Sequence, residues 1–360
     1  MRNVLDDRSK IDMSRYIISV DTNTIYIYLL IHLLKMGIRY LNSFLKKTCH
    51  SSIRTIHLGE LSNKRIVIDV SIYLYQFEGD GLLINNMKRF IDLLNQYNIQ
   101  PLFVFDGKPP VEKMKTICNR REQRRVAAVE CAEVVTRIQN NVFKEDNDKL
   151  NAEYIKLRRS SVEITRDKTE SVKKLFDEQN VPYCIAPSEA DTICASMVLT
   201  NGFWGCMSDD MDMLVYGCRN IIRDLDIDAH TAKLYVLPEI LQELNITYDN
   251  FKRVCVISGT DYNTHHQTHQ RQLQSSIEVP PTNVVVWKNT VIPRNTVVPP
   301  TITFYAAIKL FTRYQHTVKY PTMTFYGWLK HYLKLDIDYV ALERVYDMFC
   351  VPTNVPMIVH

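Results

Sequence analysis

The sequence predicts an α/β fold, a mainly parallel sheet with helices on its faces. Two observations predict it. Short apolar runs of strand length alternate with longer stretches of helical spacing, and three of those runs lead into an acid.

Residues 1–35 do not match the rest of the chain. Their apolar run, Ile25 to Leu34, is too short to span a bilayer, and it reads as an amphipathic or buried extra helix. Early acids and the lack of a small-residue cleavage site speak against a secretory signal. A second beginning stands at Met36-Gly37-Ile38-Arg39-Tyr40-Leu41, followed by an amphipathic helix. Arg65 to Asp69 is an apolar strand ending in an acid, with a helix over Ser71 to Phe77 beyond it. Residues 86–98 carry Met87, Phe90, Ile91, Leu94 and Tyr97 on one helical face.

The second strand ending in an acid is Pro101 to Asp106. From Gly107 to about Arg159 the chain turns into a long charged helical segment, which opens with Lys108, Lys113, Lys115, Arg120, Arg121, Arg124 and Arg125. Such a run is ordinarily a solvated helix face. Directly after an acid cluster it could also hold a phosphate-bearing substrate. Val181 to Ile185 is a further strand, with Ser188 as the expected N-cap of the next helix. Phe203 to Met207 is a buried strand that delivers Asp210 and Asp212.

Strands near Asn220 to Arg223 and Lys233 to Leu237 come next, then a helix from about Asp249 through Ser258 that runs into Asp261. Residues 263–302 read as a polar loop or insertion. Its His265, His266 and His269 lack a nearby Cys or acid and are read as loop residues. Helices over 304–314, 323–334 and 339–349 close the chain.

Composition narrows the class. The chain has 360 residues and a formal charge of +4, too small to name a partner. Only ten glycines are present, without GxGxxG or GxxxxGKS, which speaks against dinucleotide or P-loop chemistry. Nine scattered cysteines with no CxxC pair suit a reducing, intracellular compartment.

The sharpest local signal is acidic. Glu189 and Asp191 stand in one tight cluster, Asp209, Asp210 and Asp212 in another about twenty positions on. Taken singly, each cluster could be an acidic helix N-terminus that complements the helix dipole. Together with Asp69, Asp106 and Asp261 they suggest carboxylates sharing cations, and hard oxygen ligands suit Mg²⁺ or Mn²⁺ rather than zinc.

Six stretches, MGI (36–38), VIDVSIYLYQF (67–77), PLFVFDGKPP (101–110), APSEAD (186–191), SDDMDMLVYG (208–217) and ISGTDYN (257–263), together resemble the flap endonuclease family. These are the xeroderma-type (XPG-like) structure-specific 5′ nucleases, including the exonuclease 1 branch. The resemblance runs from Met36 to about Asp261, with a weaker tail to about Pro352. Composition and size also resemble the homologues of large DNA viruses.

The resemblance implies a PIN-like or Rossmann-like sheet with a helical arch insertion and a helical C-terminal region. It implies an extension at 1–35, a nuclease region at 36–140 that starts the arch, and the rest of the arch at 141–165. An internal nuclease region at 166–262, an insertion at 263–302 and a helical region at 303–360 complete the chain.

Carried over residue by residue, it implies that Asp69, Asp106, Glu189 and Asp191 surround one Mg²⁺, and that Asp210, Asp212 and Asp261 serve a second. Asp191 stands where many relatives have Glu. Lys113 and Arg120 match the basic pair expected at the scissile phosphate. Tyr75 matches an aromatic that stacks on a nucleobase, Arg166 a basic residue at the base of the arch, and Arg121 and Arg124 extend the substrate-holding cations. The implied reaction is metal-dependent hydrolysis of DNA at 5′ flaps or free 5′ ends in replication, recombination or repair. Alternatives are an RNA-degrading nuclease of the same fold and a silent nucleic-acid-binding scaffold.

Two departures stand out. No GIG follows Asp261, where relatives carry a duplex-binding turn; Thr264 to Pro300 interrupts that place, and Ala306 to Phe311 resembles its second helix. No sliding-clamp box of the Gln-x-x-aliphatic-x-x-aromatic-aromatic type occurs. Translation is expected to start at Met36. A monomer is expected, away from membranes, in a nucleus, or in a host nucleus or cytoplasm for a virus.

Overall fold

The computed structural model describes residues 38, 40–140, 147–262, 302–318, 323–334 and 337–351. The extension at 1–35, the Met36-Gly37 start and the loop at 263–301 with its three histidines lie outside them.

A seven-stranded sheet forms the centre, in the order β1-β7-β6-β5-β2-β3-β4. The strands are β1 (Ile53–His57), β2 (Arg65–Asp69), β3 (Gln100–Phe105), β4 (Tyr183–Ile185), β5 (Gly205–Met207), β6 (Asn220–Asp226) and β7 (Thr231–Val236). Strands β4, β3, β2, β5 and β6 run parallel, while β7 pairs antiparallel with both β6 and β1. The prediction of a mainly parallel α/β sheet therefore holds.

Parallel strands buried on both faces are nearly continuous in apolar side chains, and alternate residues feed opposite layers. Val67, Leu102, Val104, Cys206 and Ile221 join one core, Ile66, Ile68, Phe103, Phe105, Met207 and Ile222 the other. The second core is closed by helices α2 (Val70–Gly79), α3 (Leu83–Gln96) and α6 (Arg166–Glu178). The first is closed by α1 (Leu41–Thr48), α7 (Ala190–Thr200), α8 (Asp212–Val215), α9 (Leu237–Glu243) and α10 (Tyr248–Ile257). Three C-terminal helices, α11 (Phe304–Thr317), α12 (Phe325–Tyr332) and α13 (Tyr339–Met348), add Phe304, Phe311, Phe325, Trp328 and Val345 to that core. This region is thus packed onto the sheet.

The charged segment folds into a two-helix hairpin, α4 (Met114–Asn140) and α5 (Asn147–Ser161), bridged by Arg137 to Glu153 at 3.6 Å. Its foot is tied to α2 and the turn after it, with Arg159 on Asp80 at 2.8 Å.

Three local expectations are corrected. Strand β1 has no counterpart among the expected strands: only Ile56 of its five residues is buried, so an edge strand of this kind lacks clean alternation. Strand β6 extends past Arg223 to Asp226, through an irregularity in its pairing with β7. Ser188 does not cap α7: Glu189 holds the N-cap position without a side-chain bond, and the Ser188 carbonyl instead accepts the Gly107 amide at 2.6 Å.

Candidate metal and phosphate site

The chain leaves β2 for β3 and β4 on one side, then returns to place β5 on the other. Ligands of such open sheets bind at the carboxyl ends of the strands beside that reversal. There Asp69 ends β2, Asp106 follows β3, and Asp210 follows β5. Glu189 and Asp191 open α7 after β4, Asp212 opens α8, and Asp261 follows α10.

Local bonding explains why each strand ends in an acid. Asp69 is the N-cap of α2, accepting the Ser71 amide at 3.0 Å, and also accepts the Ser208 hydroxyl at 3.3 Å. Asp106 accepts the Ser71 hydroxyl at 2.6 Å and, from across the sheet edge, the Ala190 amide at 2.8 Å. It therefore supplies the helix-start bond that Ser188 does not. A side chain at Gly107 would put its Cβ 1.9 Å from the Ala186 carbonyl oxygen, so the approach of these strand ends admits only glycine after Asp106. The Asp210 side chain accepts the Asp212 amide at 2.9 Å, and the Ser208 hydroxyl accepts the Asp210 amide at 3.2 Å.

The acids feel one another. Burial, then Asp106 and Asp210, push the Asp69 carboxyl up to about 8. Asp191 is raised well above the carboxylate range by burial, then by Asp210 and Asp69. Burial raises Asp212 likewise, followed by Asp210 and Asp261, and burial and Asp261 raise Asp210. Carboxylates spread over separate surfaces would not perturb one another in this way.

Two cations from the foot of the hairpin enter the rim. Lys113 pairs with Glu189 at 2.7 Å and lies 4.7 Å over the Tyr262 ring. Burial works to discharge that ammonium, but Asp191 and Glu189 outweigh it and hold its pKa above the ordinary lysine value. Arg120 donates to Asp261 at 2.8 Å. On the outer side Arg124 lies 5.5 Å from the Tyr75 ring, and Tyr75 is 41 % exposed. Arg121 and Arg166 are exposed, and no hydrogen bond or ion pair joins either to the acids among the described residues.

Among the described residues no three carboxylates are gathered closely enough to hold an ion as they stand. Lys113 and Tyr262 occupy Glu189, Arg120 occupies Asp261, and Ser71 with Ala190 occupies Asp106. The donor set nevertheless fits a hard divalent ion. It is all carboxylate oxygen, and Asp212 Oδ1 is buried with no hydrogen-bond partner among the described residues.

Three further residues support the rim beyond the seven acids and the Lys113–Arg120 pair. The Tyr262 hydroxyl donates to Glu189 at 2.7 Å, and Tyr216 meets Tyr262 at 3.0 Å. Buried Arg223 reaches behind the acidic turn to the Asp209 carbonyl and to Met211, with its face over Tyr235. Tyr262 adjoins the acid of the ISGTDYN stretch, its only signal in the sequence; Arg223 has none.

Two family models match parts of the chain. The XPG N-terminal domain matches residues 36–127 and the XPG I-region residues 180–261, and between them they contain every acid of the rim together with Lys113 and Arg120. Over these two stretches the chain is similar to the XPG family. Flap endonuclease 1 of Glycine max is 31 % identical over 248 residues, 63 % of this chain and 62 % of the relative. Flap endonuclease 1 of Theileria annulata is 32 % identical over 246 residues, 63 % of this chain and 46 % of the relative. The chain thus spans less than two thirds of either relative's length. The catalytic core of Rad2 in complex with DNA substrate shares the XPG-like fold, with a TM-score of 0.54 at 20 % identity over 88 % of both chains.

Proposed function

We propose that this protein is a divalent-metal-dependent, structure-specific 5′ nuclease that hydrolyses DNA at 5′ flaps or free 5′ ends in replication, recombination or repair. The observation that carries the reading is the meeting of seven acids and two hairpin cations at one strand-end rim.

Asp69, Asp106, Glu189 and Asp191 would hold one Mg²⁺, and Asp210, Asp212 and Asp261 a second, with Mn²⁺ as a substitute. Bound there, the metals would supply Lewis-acid stabilisation of phosphorus-bound oxygens and an activated water. Lys113 and Arg120, which pair with Glu189 and Asp261 at this rim, would offset charge on a scissile phosphate held there. Tyr75 would stack a nucleobase beside it, Arg121 and Arg124 would hold backbone phosphates, and Arg166 would stand at the arch base. Helices α4 and α5 would form the arch over a 5′ single strand, on a monomer that works in the nucleus.

The test uses purified chain, full length and from Met36, on a 5′-flap duplex with Mg²⁺ and then EDTA. Cleavage that needs Mg²⁺ and disappears in Asp210→Ala supports the reading; equal inactivity of wild type and variant overturns it. Single-stranded RNA belongs in the same assay because no GIG follows Asp261. Preferential cleavage of RNA would keep the chemistry and replace the substrate.

A further inference from the structure

Away from the acids, a thiol and an amine stand in contact. Cys350, just past the end of α13, is exposed and free. Lys252 of α10 is 3 % exposed, yet its Nζ lies 3.5 Å from the Cys350 Sγ and 4.0 Å over the Tyr346 ring. Among the described residues Lys252 forms no ion pair. Its neighbour Arg253 takes Asp249 at 3.1 Å and Glu343 at 2.6 Å, and Tyr346 also donates to Asp249. Among the described residues, the thiol is thus the one side-chain hydrogen-bond partner of a buried amine.

We propose that Cys350 and Lys252 form an oxidation site at which a peroxide generates a sulfenic acid that the lysine amine captures as a sulfur–nitrogen cross-link. The sulfur attacks one peroxide oxygen and the O–O bond breaks. Sulfur is oxidised by two electrons, and the departing oxygen leaves as water after taking the thiol proton. The Lys252 lone pair then attacks sulfur, the S–O bond breaks, and the hydroxyl departs as water with one amine proton. With hydrogen peroxide the balance is one thiol, one amine and one peroxide giving one S–N bond and two waters.

The geometry requires no chain rearrangement, since the two atoms already touch. Burial lowers the Lys252 pKa against the opposing pull of Cys350, which raises the share of neutral, nucleophilic amine. The pair also adjoins the rim: Phe349 packs 5.4 Å from Tyr262, the tyrosine that holds Glu189.

The test is peptide mass spectrometry of the full chain after brief hydrogen peroxide treatment and thiol blocking. The expected product joins the Cys350 peptide to the Lys252 peptide, lighter than their sum by two hydrogen atoms, and thiol reductants reverse it. Exposed Cys118 on α4 reports general oxidation in the same digest. Cys350→Ser and Lys252→Arg should both lack the linked peptide, while Lys252→Arg still forms the sulfenic acid. The proposal is overturned by Cys350 oxidation without linkage in wild type, by linkage that survives Lys252→Arg, or by a bridge that retains the oxygen.

Discussion

The strand-end rim and the helical hairpin are both dense in charge, yet they handle it in opposite ways. In the hairpin, charges stand in water and pair locally, as Arg125 does with Glu122 at 2.7 Å with both side chains more than half exposed. In the rim, carboxylates are pressed against the sheet, and burial and mutual repulsion raise Asp69, Asp191, Asp210 and Asp212 together. Charge that the fold confines at a cost marks the chemistry; charge that solvent screens marks a surface.

The contrast breaks most sharply at Asp69. Asn at this position keeps the cap to Ser71 and the contact with Ser208 while removing the charge. Nuclease activity should fall by on the order of 10³-fold, while the metal-free protein becomes more stable. The sign follows from the raised pKa. A carboxyl whose folded value exceeds its ordinary 3.8 contributes stability at low pH that is lost as pH rises toward and through about 8. In EDTA, the Tm advantage of Asp69→Asn over wild type should therefore grow across that window. An advantage that shrinks with pH would mean that Asp69 is comfortably solvated.

How much of the fold and the rim is legible in the sequence obeys the same division. Strands ending in Asp69 and Asp106, and the strand leading into Asp210, can be read because apolar run and acid are neighbours in the chain. Arg120 and Lys113 are reachable through the family motif. The bond from Tyr262 to Glu189 spans 73 residues, and the support of Asp209 by Arg223 crosses from strand to turn; no periodicity encodes either. Ser188 fails as a cap because Glu189 takes the N-cap position and Asp106, far away in sequence, accepts the Ala190 amide. Propensity sees the local partner, and tertiary contact decides.

Lys113 sharpens the comparison, since it is the hairpin cation that the rim has buried. If the proposed reaction runs here, Lys113→Met should lower kcat by about 10²-fold with KM for DNA little changed, because the ammonium would stand where transition-state charge gathers. Unlike Asp69→Asn it should also destabilise the metal-free protein, by roughly 1 to 3 kcal/mol. A fully buried pair would lose more, but Tyr262 still holds the other Glu189 oxygen. Equal losses in Arg120→Met, whose side chain is more exposed, would remove the distinction between the two cations.

The smallest effect belongs to the solvated face. Arg125 sits on Glu122 one helical turn away, an exposed pair whose attraction water and salt screen almost completely. Arg125→Ala should leave Tm unchanged and cleavage of a saturating flap substrate intact. If Arg125 touches a substrate phosphate, DNA binding should weaken alike for all sequences, and the salt dependence of binding should lose a slope of about 1. A clear fall in Tm instead would show that this hairpin charge is structural, as Lys113 of the rim is. The two regions would then differ by degree of burial alone.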